Sequence, residues 1–273
     1  MAMMIGACRA WAGVLLAVAA ALWSGVGSAF GADIVQEEIR YEHDGLELTG
    51  VVFYDRSRTG RLPGVLVVHE WWGLNRFAKE RAEALAELGY LAFACDMYGI
   101  DEPVTTPDEA QALAMPLYQD PELFRGRAAA GLEALRRHPR ADMTKTAAIG
   151  YCFGGAAVLE LARSGTDLAA VVSFHGSLST TMPAEPGQVR ARVLVCNGAA
   201  DPLVPMRDRQ SFIEEMESAN ADYQFVEFGR AVHSFTNRDA GEVGIPGVAY
   251  HERSDRRSWA LMRHWLEDAF DGR

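Results

Sequence analysis

Gly150-Tyr151-Cys152-Phe153-Gly154-Gly155 is the stretch on which the reading of this chain turns. A strand-like run, Thr146-Ala147-Ala148-Ile149, leads into it, and a small-residue helical run over 156–163 leads out. Glycines at 150 and 154 flank a residue that must occupy a very tight strand-to-helix turn. This is the spacing of a nucleophile elbow, with cysteine where serine is usual. Such a turn pushes the side chain out at the top of a sheet, and the glycines remove Cβ atoms that would clash there. The helix N-terminus behind it favours a thiolate and aims backbone N–H groups at a developing oxyanion. A buried cysteine in an ordinary strand-to-helix turn has the same short signature, so the surrounding chain must arbitrate.

Outward from the elbow, the pattern is strands alternating with helices. Gly64-Val65-Leu66-Val67-Val68 and the run 90–95 are near-continuously apolar, as expected of strands buried on both faces of a parallel sheet. Between them Asn75 opens a helix with Phe77, Ala82, Leu85 and Leu88 on one face and Gly89 as its stop. Residues 34–41 and 46–54 read as two earlier strands joined by His43-Asp44-Gly45. Residues 97–120 hold Pro103, Pro107 and Pro116. They read as an excursion over the sheet edge with a short helix near 108–113, the kind of segment that forms lids or pocket walls. A helix is expected over 121–137. Strands follow at 168–174, 192–197 and 223–228, with helices at 206–218 and 250–270. The alternation predicts one doubly wound, mostly parallel α/β domain over 33–273.

The first 32 residues read differently. Arg9 precedes an apolar segment over 10–23, and small residues follow at Gly25, Gly27, Ser28, Ala29, Gly31 and Ala32. This is the layout of a signal peptide over 1–32, cleaved near 29–32. An uncleaved anchor is the alternative. Export to a periplasm or beyond is expected, with no stable membrane association after cleavage. The 273 residues carry a net charge of −11, which argues against nucleic acid or an anionic membrane surface as partner. The three cysteines beyond residue 32 (Cys95, Cys152 and Cys196) are an odd number, which flags a free thiol in an oxidising compartment. Cys95 and Cys196 sit in apolar runs and read as core. No pair of cysteines has zinc-ligand spacing, so no metal site is expected; the hydrolytic chemistry read below needs no cofactor, and a monomer is expected.

Reactive groups in an open parallel sheet collect past the carboxyl ends of its strands. The polar residues there are Glu70, Asp96, Cys152, His175, Asp201 and His233. Nucleophile, acid and histidine in that chain order suit the elbow, and Cys152, Asp201 and His233 satisfy it. The imidazole would take the thiol proton, and the carboxylate would set its tautomer and stabilise its charge. His175 comes too early in the chain for the base and reads as a pocket wall or a structural residue. His69 reads as structural.

His69-Glu70-Trp71-Trp72-Gly73, Asp96-Met97-Tyr98-Gly99, the cysteine elbow, Asp201-Pro202 with Pro205, and His233-Ser234-Phe235 occur in this order. Together they resemble the dienelactone hydrolase family of α/β-hydrolases (carboxymethylenebutenolidases) over roughly 36–270. The resemblance implies a cysteine nucleophile with an aspartate–histidine pair, acting on small esters or lactones through a thioester. It implies that Glu70 holds the thiol proton at rest and swings away when substrate arrives. The fold geometry would make the backbone N–H groups of Phe153 and Trp71 the oxyanion hole. Trp71, Trp72, Tyr98, Tyr118, Phe153, His175 and Asn237 are candidates for the pocket. Family members that hydrolyse dienelactone resemble one another in arginines that grip the substrate carboxylate. This chain has none between Asp96 and Arg125, and Asn237 stands where the second would fall, with Arg238 one residue off. Asparagine cannot clamp a carboxylate as a guanidinium does. Two other classes fit the same residues: a thiol-bearing binding or redox-sensing module, and a hydrolase of another acyl bond such as a thioester or peptide.

Overall fold

In the computed structural model, residues 32–272 are described; but for Ala32, the expected signal peptide lies outside the described residues. The chain enters through a long hairpin, β1 (Ile34–His43) and β2 (Leu46–Asp55), paired from Ile34↔Asp55 to His43↔Leu46. Its two-residue turn puts Asp44 and Gly45 at φ 52° and 76°. That pair of positive angles matches the twist of the strands, and Asp-Gly is among the sequences that adopt it most readily.

Six further strands complete one sheet: β3 (Leu62–Val68), β4 (Leu91–Cys95), β5 (Ala141–Tyr151), β6 (Ala170–Phe174), β7 (Arg192–Gly198) and β8 (Tyr223–Phe228). Their order is β1-β2-β4-β3-β5-β6-β7-β8. The β1–β2 and β2–β4 pairings are antiparallel and every other pairing is parallel. After β3 the chain turns to one side to make β4; after β5 it turns to the other to make β6. The crevice between the carboxyl ends of β3 and β5 is therefore the topological switch point, where such sheets bind ligands.

Successive side chains serve opposite faces, so the central strands read as unbroken apolar runs. Val65 and Val67 join Phe77 and Leu85 of α1 (Arg76–Glu87) and Met262 and Leu266 of α6 (Glu252–Asp271). Leu66 and Val68 face the other core, built with α2 (Pro107–Gln119), α3 (Pro121–Arg136), α4 (Phe153–Arg163) and α5 (Met206–Ser218). No described helix is long and apolar enough to cross a membrane.

The excursion is more ordered than its prolines suggest. A capping box between Thr106 and Glu109 and a proline at the first helical position launch α2, which runs to Gln119 instead of ending near 113. Pro116 sits in its last turn and does not break it. The stop comes at Asp120, held extended before Pro121, where its side chain caps α3.

Candidate active site

Cys152 sits between β5 and α4 at φ 54° and ψ −113°, a conformation that non-glycine residues rarely adopt. A Cβ on Gly150 would lie 2.0 Å from the Gly154 carbonyl oxygen, and one on Gly154 would lie 2.2 Å from that of Val68. Both positions thus require glycine, because helix and strand backbones touch there. The strained residue is pinned by its own N–H, which donates to the Phe174 carbonyl at 3.0 Å and to His175 Nδ1 at 3.1 Å.

Because His175 Nδ1 accepts, its proton is on Nε2, which donates to Thr236 Oγ1 at 2.8 Å. Burial, then the positive charges of His233 and Arg81, hold His175 well below the usual histidine range, so it is neutral. It is fully buried behind the nucleophile. It is therefore not a pocket wall; its φ of 42° turns the ring back beneath the elbow.

Asp201 and His233 reach Cys152 from the loops after β7 and β8. His233 Nε2 is 3.1 Å from Cys152 Sγ, and Nδ1 is 2.8 Å from Asp201 Oδ2. Each loop is braced. Asp201 Oδ1 accepts the Leu203 N–H, and the Arg209 guanidinium donates to the carbonyls of Asp201 and Val204. The His233 N–H donates to the Gly247 carbonyl, and the Arg81 guanidinium joins the Thr236 carbonyl to Asp255 of α6. Burial disfavours the charged form of His233. The charge at Cys152 and the hydrogen bonds to Asp201 and Cys152 outweigh it, and its pKa is pushed up to about 10. The site thus favours the protonated form of the His233 imidazole.

Glu70 is buried, and its carboxylate is hydrogen-bonded to two side chains of the loop after His233. Oε1 accepts from Ser234 Oγ at 2.8 Å and Oε2 from Asn237 Nδ2 at 2.7 Å. Burial raises its pKa above the usual carboxyl range, against the pull of those two bonds. The contact with the thiol that the family resemblance implies is absent from this arrangement, because two donors hold the carboxylate and His233 occupies the sulfur. Asn237 borders the cavity, yet its amide holds Glu70. His69 is structural: Nε2 accepts the Met97 N–H and Nδ1 faces the Glu70 carbonyl.

A cavity of about 770 Å³ opens in front of Cys152, lined by Glu70, Trp71, Trp72, Tyr118, His233 and Asn237 among others. Tyr98 and the Phe153 ring, expected on its walls, lie beneath the floor. They pack with His69 at centroid distances of 5.0 and 5.8 Å and with each other at 5.2 Å. Cys95 and Cys196 are buried and unpaired, their thiols pushed up by burial. Among the described residues no cluster of three or more His, Cys, Asp or Glu is placed to hold a metal.

The model of the dienelactone hydrolase family matches residues 48–270. The chain belongs to that family. It is thus a family hydrolase with the α/β-hydrolase sheet expected above. The carboxymethylenebutenolidase of Pseudomonas putida is 30% identical over 198 residues, covering 70% of this chain and 83% of its own. The crystal structure of a dienelactone hydrolase-like promiscuous phosphotriesterase, P91, from metagenomic libraries is 40% identical. It matches with a TM-score of 0.82 over 88% of this chain and all of its own. A structure titled m3DLH is 39% identical, with a TM-score of 0.83 over 87% of this chain and 99% of its own.

Arg81, Arg209, Ser234 and Thr236 were not singled out for a role by sequence reasoning. The two arginines lie on helices among other charged residues, and no local spacing marks them as buried. Ser234 and Thr236 flank Phe235 next to the histidine, but their partners are 164 and 61 residues away.

Proposed function

We propose that this hydrolase cleaves carboxylic esters or lactones with Cys152 as nucleophile, His233 as proton carrier and Asp201 as its orienting carboxylate. The observation that carries the reading is the unbroken line from Cys152 Sγ through His233 to Asp201, at 3.1 and 2.8 Å, facing the cavity. The thiolate attacks the carbonyl carbon, and the electron pair moves to oxygen. That oxyanion meets the N–H of Phe153, which opens α4 and has no acceptor within the helix, and the N–H of Trp71 after β3. His233 gives its Nε2 proton to the departing alkoxide, leaving a thioester. The neutral imidazole then takes a proton from water, hydroxide attacks the thioester, and the thiolate–imidazolium pair returns. Ser234 and Asn237 keep the Glu70 carboxylate off the sulfur throughout. The charge and apolar stretch of residues 1–32 support export, with a free reduced Cys152 needed outside the cytoplasm.

The test is hydrolysis of p-nitrophenyl acetate and dienelactone by reduced protein beside Cys152→Ala and Cys152→Ser. Acetate hydrolysis that falls at least 10³-fold in Cys152→Ala is expected; hydrolysis that survives it rejects the nucleophile. A reactive thiol with no turnover of any ester would favour the sensing alternative. The P91 likeness adds a phosphotriester to the panel.

A further inference from the structure

The lining of the cavity that faces Cys152 is mostly apolar. Trp72, Val104, Ala114, Val204 and Ile245 line it. Its rim takes one side chain from each of three separate segments: Met115 on α2, Leu203 in the loop after β7, and Val243 in the loop beyond His233. These three are 37, 54 and 39% exposed. Among the described residues only two other large apolar side chains are comparably exposed, Met143 and Met206, and Met206 follows Leu203 by three residues. Isolated exposed apolar residues need no explanation, but their gathering at one opening marks a surface that is covered in use.

The charges point the same way. Asp239, Glu242 and the buried Glu70 border the cavity, against the Arg76 guanidinium and, beside Cys152, the His233 imidazole. Arg76 is largely exposed and paired with Glu80. Asn237, on the cavity wall, is committed to Glu70. A substrate carrying its own carboxylate therefore finds repulsion at the rim and no guanidinium inside.

We infer that the cavity is an acyl-chain site: the substrate is an uncharged ester with a medium or long apolar acyl chain, whose tail leaves between Met115, Leu203 and Val243. This rests on the ester-hydrolase reading above. Each methylene carried from water into such a site is worth up to about fourfold in kcat/KM. With part of the chain still wet at the mouth, p-nitrophenyl octanoate should exceed the acetate by about tenfold to a hundredfold.

The experiment measures kcat/KM for p-nitrophenyl acetate, butyrate, valerate and octanoate, and for the anionic p-nitrophenyl hemiglutarate, below their micellar concentrations. Leu203→Asp should lower the octanoate-to-acetate ratio at least fivefold. Met143→Asp, on a surface away from the cavity, should leave that ratio unchanged. The valerate-to-hemiglutarate ratio should exceed ten and fall in Glu242→Arg. A flat chain-length profile, or preference for the anionic ester, overturns the inference while leaving the hydrolase reading intact. Binding of n-octanol and n-butanol to Cys152→Ala, read through the fluorescence of Trp71 and Trp72, separates the two ideas. Octanol binding at least tenfold tighter than butanol, without turnover of any ester by the native protein, would sink the hydrolase reading and keep the acyl-chain site. Equal binding would overturn the site even if esters are cleaved.

Discussion

Replacing His175 tests how the strained nucleophile is held. In His175→Ala the Cys152 N–H keeps only the Phe174 carbonyl, and Thr236 Oγ1, in a side chain 1% exposed, loses the partner it now has at 2.8 Å. One lost hydrogen bond is worth about 1 kcal/mol, and a buried group left unpaired costs about 1–3 kcal/mol more. The variant should therefore unfold with about 2–4 kcal/mol less stability, a Tm lower by roughly 5–15 °C at this size. The two nitrogens are separable. Asparagine can place a carbonyl oxygen near Nδ1, and glutamine can place an N–H₂ near Nε2. Because the Nδ1 bond acts on the nucleophile, kcat for a neutral p-nitrophenyl ester should drop at least tenfold in His175→Ala, with KM within threefold. His175→Asn should recover most of kcat, and His175→Gln should recover more Tm than kcat. Thermal melts and steady-state kinetics on the three variants decide it. If His175→Ala loses Tm but keeps native kcat, or glutamine rescues kcat where asparagine does not, then His175 does not position Cys152.

Three further outcomes follow from the same geometry. The His233 pKa is raised from its ordinary value near 6.5 to about 10, so the folded state binds its proton more tightly than the unfolded state. The stabilisation from the charged pair is then complete below about pH 6.5 and fades as pH climbs towards 10; imidazole NMR shifts that titrate near 6.5 would contradict this. Gly150→Ala should cost more than about 4 kcal/mol and yield little folded protein in circular dichroism, because its Cβ would lie 2.0 Å from the Gly154 oxygen. Arg81→Met leaves the Asp255 carboxylate buried without its cation and frees the loop carrying His233. A loss of about 3–5 kcal/mol in urea denaturation is expected, with a fall in kcat.

The strands were legible because most are buried on both faces: Val65 to Val68 could be read as sheet without knowing their neighbours. Their lateral order was not. Nothing in the run 91–95 says that it pairs with both β2 and β3; that follows from which way the chain crosses after β3. The helix expected near 108–113 in the proline-bearing excursion is longer, running to Gln119. A proline costs little where the helix is about to end, and the box between Thr106 and Glu109 was the stronger signal. Cys152, Asp201 and His233 could be listed because the fold confines reactive groups to strand ends. Their braces could not, since Arg81 meets Thr236 and Asp255 across 155 and 174 residues.

Position 237 shows how one residue ties the proposed substrate to the site's electrostatics. An arginine there would face Glu70 with a full positive charge, hold it ionised, and offer the rest of its fork to a substrate carboxylate. Asparagine gives Glu70 one neutral N–H at 2.7 Å and gives the cavity no charge. Burial still outweighs that bond and the one from Ser234, and raises the pKa of the carboxyl. With no guanidinium at 237 nothing there draws an anion in, and burial holds the pKa of Glu70 above the usual carboxyl range. Both features leave the floor beneath the substrate without an attraction for an anion. An uncharged acyl chain is the ligand that loses nothing by either, so the asparagine at 237 and the apolar rim at Met115, Leu203 and Val243 argue for the same substrate.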